Sequence, residues 1–373
     1  MKKTVAAILM AVAMLLGACA APSGAPAPTE GPEAAEASPA PGMGGFGALL
    51  GFIIEDDGQM PTYMMMHGFL RTAENLGYPA KLYRAKRGAE AEAAVAAATG
   101  EGCRALLIAN PGGANDGAVR TALAAGAYVA VPYDPCGVEG LHANVVADDT
   151  DYVEELTRGI AARMTERNLK SGRILVYGVG TEAVYGKIQT AISQYYPQYQ
   201  AASFERTGEG QAAVDALAEY LLYNRDIKGM YAVDTASAPL AVQARSKAIS
   251  RFRAEGTPSP SPAASMAPGT AAPTPNPGLL TQISITVFGC GLSDENLKLF
   301  NDNDIYGLCI EPYYEAAANA AMQLDKLLMG EEAEKTMRVN RPIVYAATID
   351  KYLAIYGQVQ ALFGLAPTAS PQA

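Results

Sequence analysis

Residues 105–134 read ALLIANPGGANDGAVRTALAAGAYVAVPYD. Ala105–Ile108 is apolar without alternation, as a strand covered on both faces must be. After a Pro-Gly-Gly break, Asn115–Ala125 carries a 3.6-residue periodicity, and Tyr128–Val131 is a second branched apolar run. A strand, a turn, a helix and another strand make one unit of a parallel sheet with helices on its faces.

The same alternation extends in both directions. Strand-like runs lie at Ala48–Ile54, Ala80–Tyr83, Ile174–Val179, Gly229–Val233, Ile283–Phe288 and Tyr306–Ile310. Helical patterns cover Asp151–Glu166, Ala212–Tyr223, Tyr314–Leu328 and Asp350–Leu362, and a first helix follows Pro61. In that helix Met66, Phe69, Leu70, Ala73 and Leu76 share one face, and Gly77 suits the C-terminal cap. The pattern predicts two α/β units of about 150 residues each, within the prior of ~100–200 residues per domain.

Composition narrows the function. The 373 residues carry 28 Lys+Arg against 38 Asp+Glu, a formal balance of −10. An acidic chain without a basic cluster is a poor nucleic-acid binder, because neutralising phosphates requires grouped cations. His67 and His142 are the only histidines, and no Cys-x-x-Cys pair occurs, so no metal site is expected. Cys103, Cys136, Cys290 and Cys309 allow three disulfide pairings. A large core makes stapling unnecessary, so free thiols are expected.

The N-terminus reads as a targeting segment. Lys2 and Lys3 precede an apolar run from Val5 to Leu16, shorter than the ~20 residues a spanning helix needs. Leu16-Gly17-Ala18-Cys19 resembles a bacterial lipobox, in which Cys19 is lipidated and becomes the mature N-terminus. Removing residues 1–18 leaves 26 basic against 38 acidic residues, a balance of −12. Residues 19–45 are Ala, Pro, Gly and Glu with few bulky side chains, a linker expected to be disordered. Similar composition marks 256–278 as a disordered insertion and 366–373 as a tail.

Three groups of motifs carry a family resemblance. Pro61-Thr62-Tyr63, His67-Gly68-Phe69 and Glu74-Asn75-Leu76-Gly77-Tyr78 form the first group, and Ala105–Asn110 with Gly117–Gly126 and Val129–Asp134 the second. The third is Thr286-Val287-Phe288-Gly289-Cys290-Gly291 with Glu311-Pro312-Tyr313-Tyr314-Glu315. Together they resemble, in order over 46–360, the ribose-binding and lactose-repressor-type superfamily, the type 1 periplasmic binding proteins. The absence of a helix-turn-helix headpiece before this core points away from the repressor branch. The resemblance implies two similar three-layer α/β/α lobes with parallel sheets, joined by a hinge of three crossover segments near Val146, Glu311 and Arg338. It divides the chain into 46–146 plus 312–338 and 147–311 plus 339–365. It implies a monomeric, lipid-anchored protein on the extracytoplasmic face of the cell membrane, with a sugar or related ligand and an ABC permease as partners. A ligand sensor for a membrane receptor with the same fold is the alternative.

Ligands of open parallel sheets bind beyond the carboxyl ends of the strands. Those positions are Glu55-Asp56-Asp57, Asn110, Tyr133-Asp134, Gly180-Thr181 with Tyr185, Asp234, Cys290 and Glu311. The resemblance assigns ligand contacts to Met60, Tyr63, Asp134, Tyr185, Asp234, Cys290 and Glu311; Asp56 joins them by position. Pro135 and Tyr185 stand where sugar binders carry arginines, so the expected pocket is acidic. Each residue also has a structural reading: the aspartates as turn or helix caps, Tyr63 as lobe packing, Cys290 as a small buried side chain.

No catalytic constellation is legible. No G-x-S-x-G elbow occurs, and neither histidine has a triad context. Gly178-Val179-Gly180-Thr181-Glu182-Ala183, with Glu205 beyond the next strand, fits the dinucleotide fingerprint. It lies mid-chain in an exported protein, so an oxidoreductase is the weakest reading and no cofactor is expected.

Overall fold

A computed structural model describes residues 47–148, 151–255 and 284–365. The segment 1–18, Cys19, the linker 19–45, the insertion 256–278 and the tail 366–373 lie outside these residues. The first lobe runs β1 (Leu49–Ile54), α1 (Met60–Leu76), β2 (Ala80–Arg84), α2 (Ala89–Gly100), β3 (Cys103–Ile108), α3 (Asp116–Ala124), β4 (Tyr128–Tyr133) and β5 (Ala143–Asp148). The second runs α4 (Asp151–Glu166), β6 (Gly172–Gly178), α5 (Thr181–Tyr195), β7 (Tyr199–Glu205), α6 (Gly210–Tyr223), β8 (Ile227–Ala232), α7 (Ser237–Glu255), β9 (Thr286–Cys290), α8 (Asp294–Asn301) and β10 (Gly307–Cys309). The chain then returns to the first lobe as α9 (Tyr313–Leu328) and β11 (Thr336–Asn340). It ends with β12 (Ile343–Val344) in the second sheet and α10 (Asp350–Phe363).

The sheets have orders β11-β5-β4-β3-β1-β2 and β12-β10-β9-β8-β6-β7. The chain passes between them three times: after Asp148, between Cys309 and Tyr313, and after Asn340. The first and third passages follow Val146 and Arg338 by two residues, because both of those residues still pair within the first sheet. Every pairing is parallel except β10 with β12. β12 is entered through Arg341-Pro342 directly from β11, a strand of the other sheet.

Alternate residues of each strand serve opposite layers. In β3, Ala105 and Leu107 pack toward α1 and α9, while Leu106 and Ile108 pack toward α2 and α3. In β6, Leu175 and Tyr177 join the layer of α6 and α7, whereas Ile174 and Val176 join that of α4 and α5. α1 opens on Pro61, and the Gly77 amide (φ 80°) donates back to the Ala73 and Glu74 carbonyls. Among the described residues no helix is long and apolar enough to cross a membrane.

Candidate functional site

Glu311 lies on the second passage between lobes, and side chains from both lobes meet on it. The Tyr133 hydroxyl, at the end of β4, donates to its Oε2 at 2.6 Å. The Cys290 thiol, at the end of β9, donates to Oε1 at 3.3 Å. Arg341, from the third passage, brings Nε within 3.3 Å of Oε2 and sets its guanidinium 5.5 Å from the Tyr152 ring. Tyr133 also stacks on Tyr313, with centroids 4.3 Å apart. Its φ of 71° is rarely adopted by a bulky residue, and such strain concentrates where function requires it.

The electrostatics of this cluster keep its tyrosine hydroxyls and the Cys290 thiol protonated. Burial, with the Glu311 charge beside it, pushes the Tyr133 phenol far above its usual range. Burial also lifts Tyr313 to about 12. Hydrogen bonding with Cys309, together with burial, raises the Cys290 thiol. Cys290 and Cys309 are register partners, and all four cysteines among the described residues are free. These are fixed donors, and a buried thiol with a raised pKa is a poor nucleophile.

Asp134 follows directly. Asn144 fixes its backbone: the amide donates to the Val131 carbonyl at 3.0 Å and the Asp134 carbonyl at 2.9 Å, and its Oδ1 accepts from the Cys136 amide. The Asp134 carboxylate accepts no hydrogen bond from the described residues. Burial raises its pKa, and the charge of Arg87 opposes the rise only in part. It is a half-desolvated acceptor with open capacity.

The other expected residues are more fully engaged. Asp56 pairs with Arg84 at 2.7 Å and accepts from the Tyr63 hydroxyl. Tyr63 stacks on Phe363 of α10 at 4.7 Å, and Met60 packs against the core of the second lobe. Asp234 accepts from the Ser237 amide (2.8 Å), the Ser237 hydroxyl (2.7 Å) and the Val179 amide (3.2 Å), and so caps the turn into α7. Tyr185 is half-buried on α5 against the α4–α5 core. Asn110, fully buried, braces the loop before α3 through Asn115 and Asp116.

The expected lack of arginines beside the acids does not hold, although the acids still outnumber them. Arg84 stands by Asp56, Arg87 by Glu55 (2.8 Å) and near Asp134, Arg206 by Asp234 (3.9 Å) and Arg341 by Glu311. They come from β2, from turns after β2 and β7, and from the third passage, positions that the order of motifs does not pair with the acids. The dinucleotide fingerprint fails as well. Glu205 accepts from the Gly180 amide (2.7 Å), the Thr181 amide (3.1 Å) and the Thr181 hydroxyl (2.8 Å). Its carboxylate thus fills the place at the α5 N-terminus that a pyrophosphate would need. Among the described residues no group of three or more His, Cys, Asp or Glu could hold a metal ion.

No protein-family model and no curated protein matches the sequence. Solved structures do match. An arabinose-binding protein from Geobacillus stearothermophilus superposes with a TM-score of 0.61 at 12% identity, over 82% of this chain and 99% of that one. A sugar-binding protein of a sugar ABC transporter from Bacillus halodurans gives 0.58 at 13%, over 82% and 99%. A periplasmic ribose ABC transporter protein from Conexibacter woesei gives 0.56 at 14%, over 84% and 97%. The chain has the type 1 periplasmic-binding-protein fold.

Proposed function

We propose that this chain is an exported, lipid-anchored solute-binding protein. It captures a neutral polyhydroxylated molecule, a sugar, between its lobes and delivers it to an ABC permease without changing it chemically. The carrying observation is the Asp134 carboxylate, half-desolvated and without a donor among the described residues, next to a cluster drawn from both lobes. Ligand hydroxyls supply the missing donors, and charge-assisted hydrogen bonds are the stronger kind. Four of the acids already face arginines, and the Asp134 carboxylate has capacity for hydroxyl donors, which favours a polyhydroxylated ligand over an anion. The sugar-binding proteins that share the fold support the same class of ligand.

The test is a thermal-shift panel of aldopentoses, aldohexoses, amines and organic acids, followed by calorimetry on Asp134→Asn. One or more neutral sugars should raise the melting temperature by mass action. Asp134→Asn should weaken binding about tenfold to a hundredfold. The same substitution should leave the ligand-free protein at least as stable at neutral pH. The sign follows from linkage: a carboxyl with a raised folded pKa favours the folded state at low pH and loses that advantage as pH rises, so removing the charge removes a penalty. A response confined to organic acids, or binding indifferent to Asp134→Asn, would overturn the assignment.

The anchor rests on Leu16-Gly17-Ala18-Cys19. Two acyl chains hold a protein stably on a membrane where one does not. Grown with an alkyne fatty acid, cells should label the wild type and leave Cys19→Ser unlabelled. Equal labelling of both would remove the lipid from the reading.

A further inference from the structure

α10 begins in the second lobe and ends on the first. Ile349, Tyr352 and Tyr356 are buried in the second lobe's core, and the Tyr356 hydroxyl donates to Asp294 of α8 at 2.7 Å. Two turns later Phe363 packs on the first lobe's core and stacks on Tyr63, at 4.7 Å and 23° between planes. Between these points Gln358 Oε1 lies 3.2 Å from His67 Nε2 on α1. The three backbone passages of the hinge permit rotation; a helix gripping both lobes through side chains opposes it. We propose that α10 is a latch that holds the two lobes together, with the Tyr63–Phe363 stack as its contact on the first lobe.

Both ends of the helix are held. The second-lobe end is anchored by Ile349, Tyr352 and Tyr356 and a hydrogen bond, and Val359 and Gln360 are buried further along the helix, before Phe363 reaches Tyr63. The latch itself does not depend on which ligand binds.

Spin labels test this without a ligand. In a Cys136→Ser background, nitroxides at Arg120→Cys on α3 and Lys298→Cys on α8 report the interlobe distance; both native side chains are largely exposed. Loss of an aromatic stack should raise the open population about tenfold. Phe363→Ala should accordingly add a longer-distance component to the pulsed dipolar trace, and Gln358→Ala, at an exposed site, a smaller one. Phe363→Tyr should restore the wild-type trace, and Leu362→Ala, one residue away and 53% exposed, should leave it unchanged. If Phe363→Ala misfolds by circular dichroism, Gln358→Ala decides. A wild-type trace in the folded variants, or equal opening in Leu362→Ala, would overturn the latch.

Discussion

Gly68→Ala should destabilise the protein by about 2 kcal/mol, against the sign that helix propensity gives. In the middle of an exposed helix, glycine costs roughly 1 kcal/mol relative to alanine, so the change normally stabilises. Gly186 in α5 is such a site, with nothing within 4 Å of the added methyl group. At Gly68 the new Cβ would lie 2.3 Å from the Tyr314 backbone oxygen, 3.1 Å from its carbonyl carbon and 3.2 Å from its Cα. A side chain could rotate away from that contact, but backbone cannot. α1 and α9 would have to move apart, and overpacking of this kind costs about 1–3 kcal/mol. α9 opens with Tyr313, which stacks on Tyr133, so the strain reaches the Glu311 cluster. Urea midpoints decide: Gly186→Ala should shift upward and Gly68→Ala downward. Equal shifts would mean that the close approach of α1 to α9 carries no energetic weight.

The sequence shows the fold best where strands are covered on both faces and helices carry bulky residues on one stripe. It shows least at sheet edges and in alanine-rich helices. β11 was not legible because only Val339 is buried in it. α2 buries Ala91, Val95 and Ala98, a stripe too small to stand out among the surrounding alanines. The same logic divides the site. Asp134, Cys290 and Glu311 end apolar strands, so position alone points to them. Arg341, Arg206 and Arg87 sit in turns or on a passage between lobes, and only the folded chain brings them to their carboxylates. Phe363 was further out of reach. It lies some 300 residues from Tyr63, and nothing in its local pattern distinguishes it from an ordinary buried helix position.

Glu311→Ala should cost about 3 kcal/mol, the lower end for breaking a largely buried ion pair by removing one partner. Glu311 and Arg341 side chains keep only 15% and 19% of their exposure, so water cannot fully replace the lost charge. Arg341 Nε lies 3.3 Å from Glu311 Oε2, an ion-pair distance. Tyr133 and Cys290 would each lose an acceptor at the same time. Tyr133 has a second reason to move, because a non-glycine residue at φ 71° persists only while its surroundings over-determine it. The variant should therefore lose ligand response together with stability. Glu311→Gln keeps an acceptor for Tyr133 and removes only the charge, so it should fall between wild type and Glu311→Ala. Arg341→Met should be milder than Glu311→Ala and should recover part of the loss when the two are combined, with a coupling of about 1–3 kcal/mol. Additive losses in that cycle, measured by urea denaturation, would show that Glu311 and Arg341 act independently. The convergence of both lobes on Glu311 would then be a matter of position and not of energy.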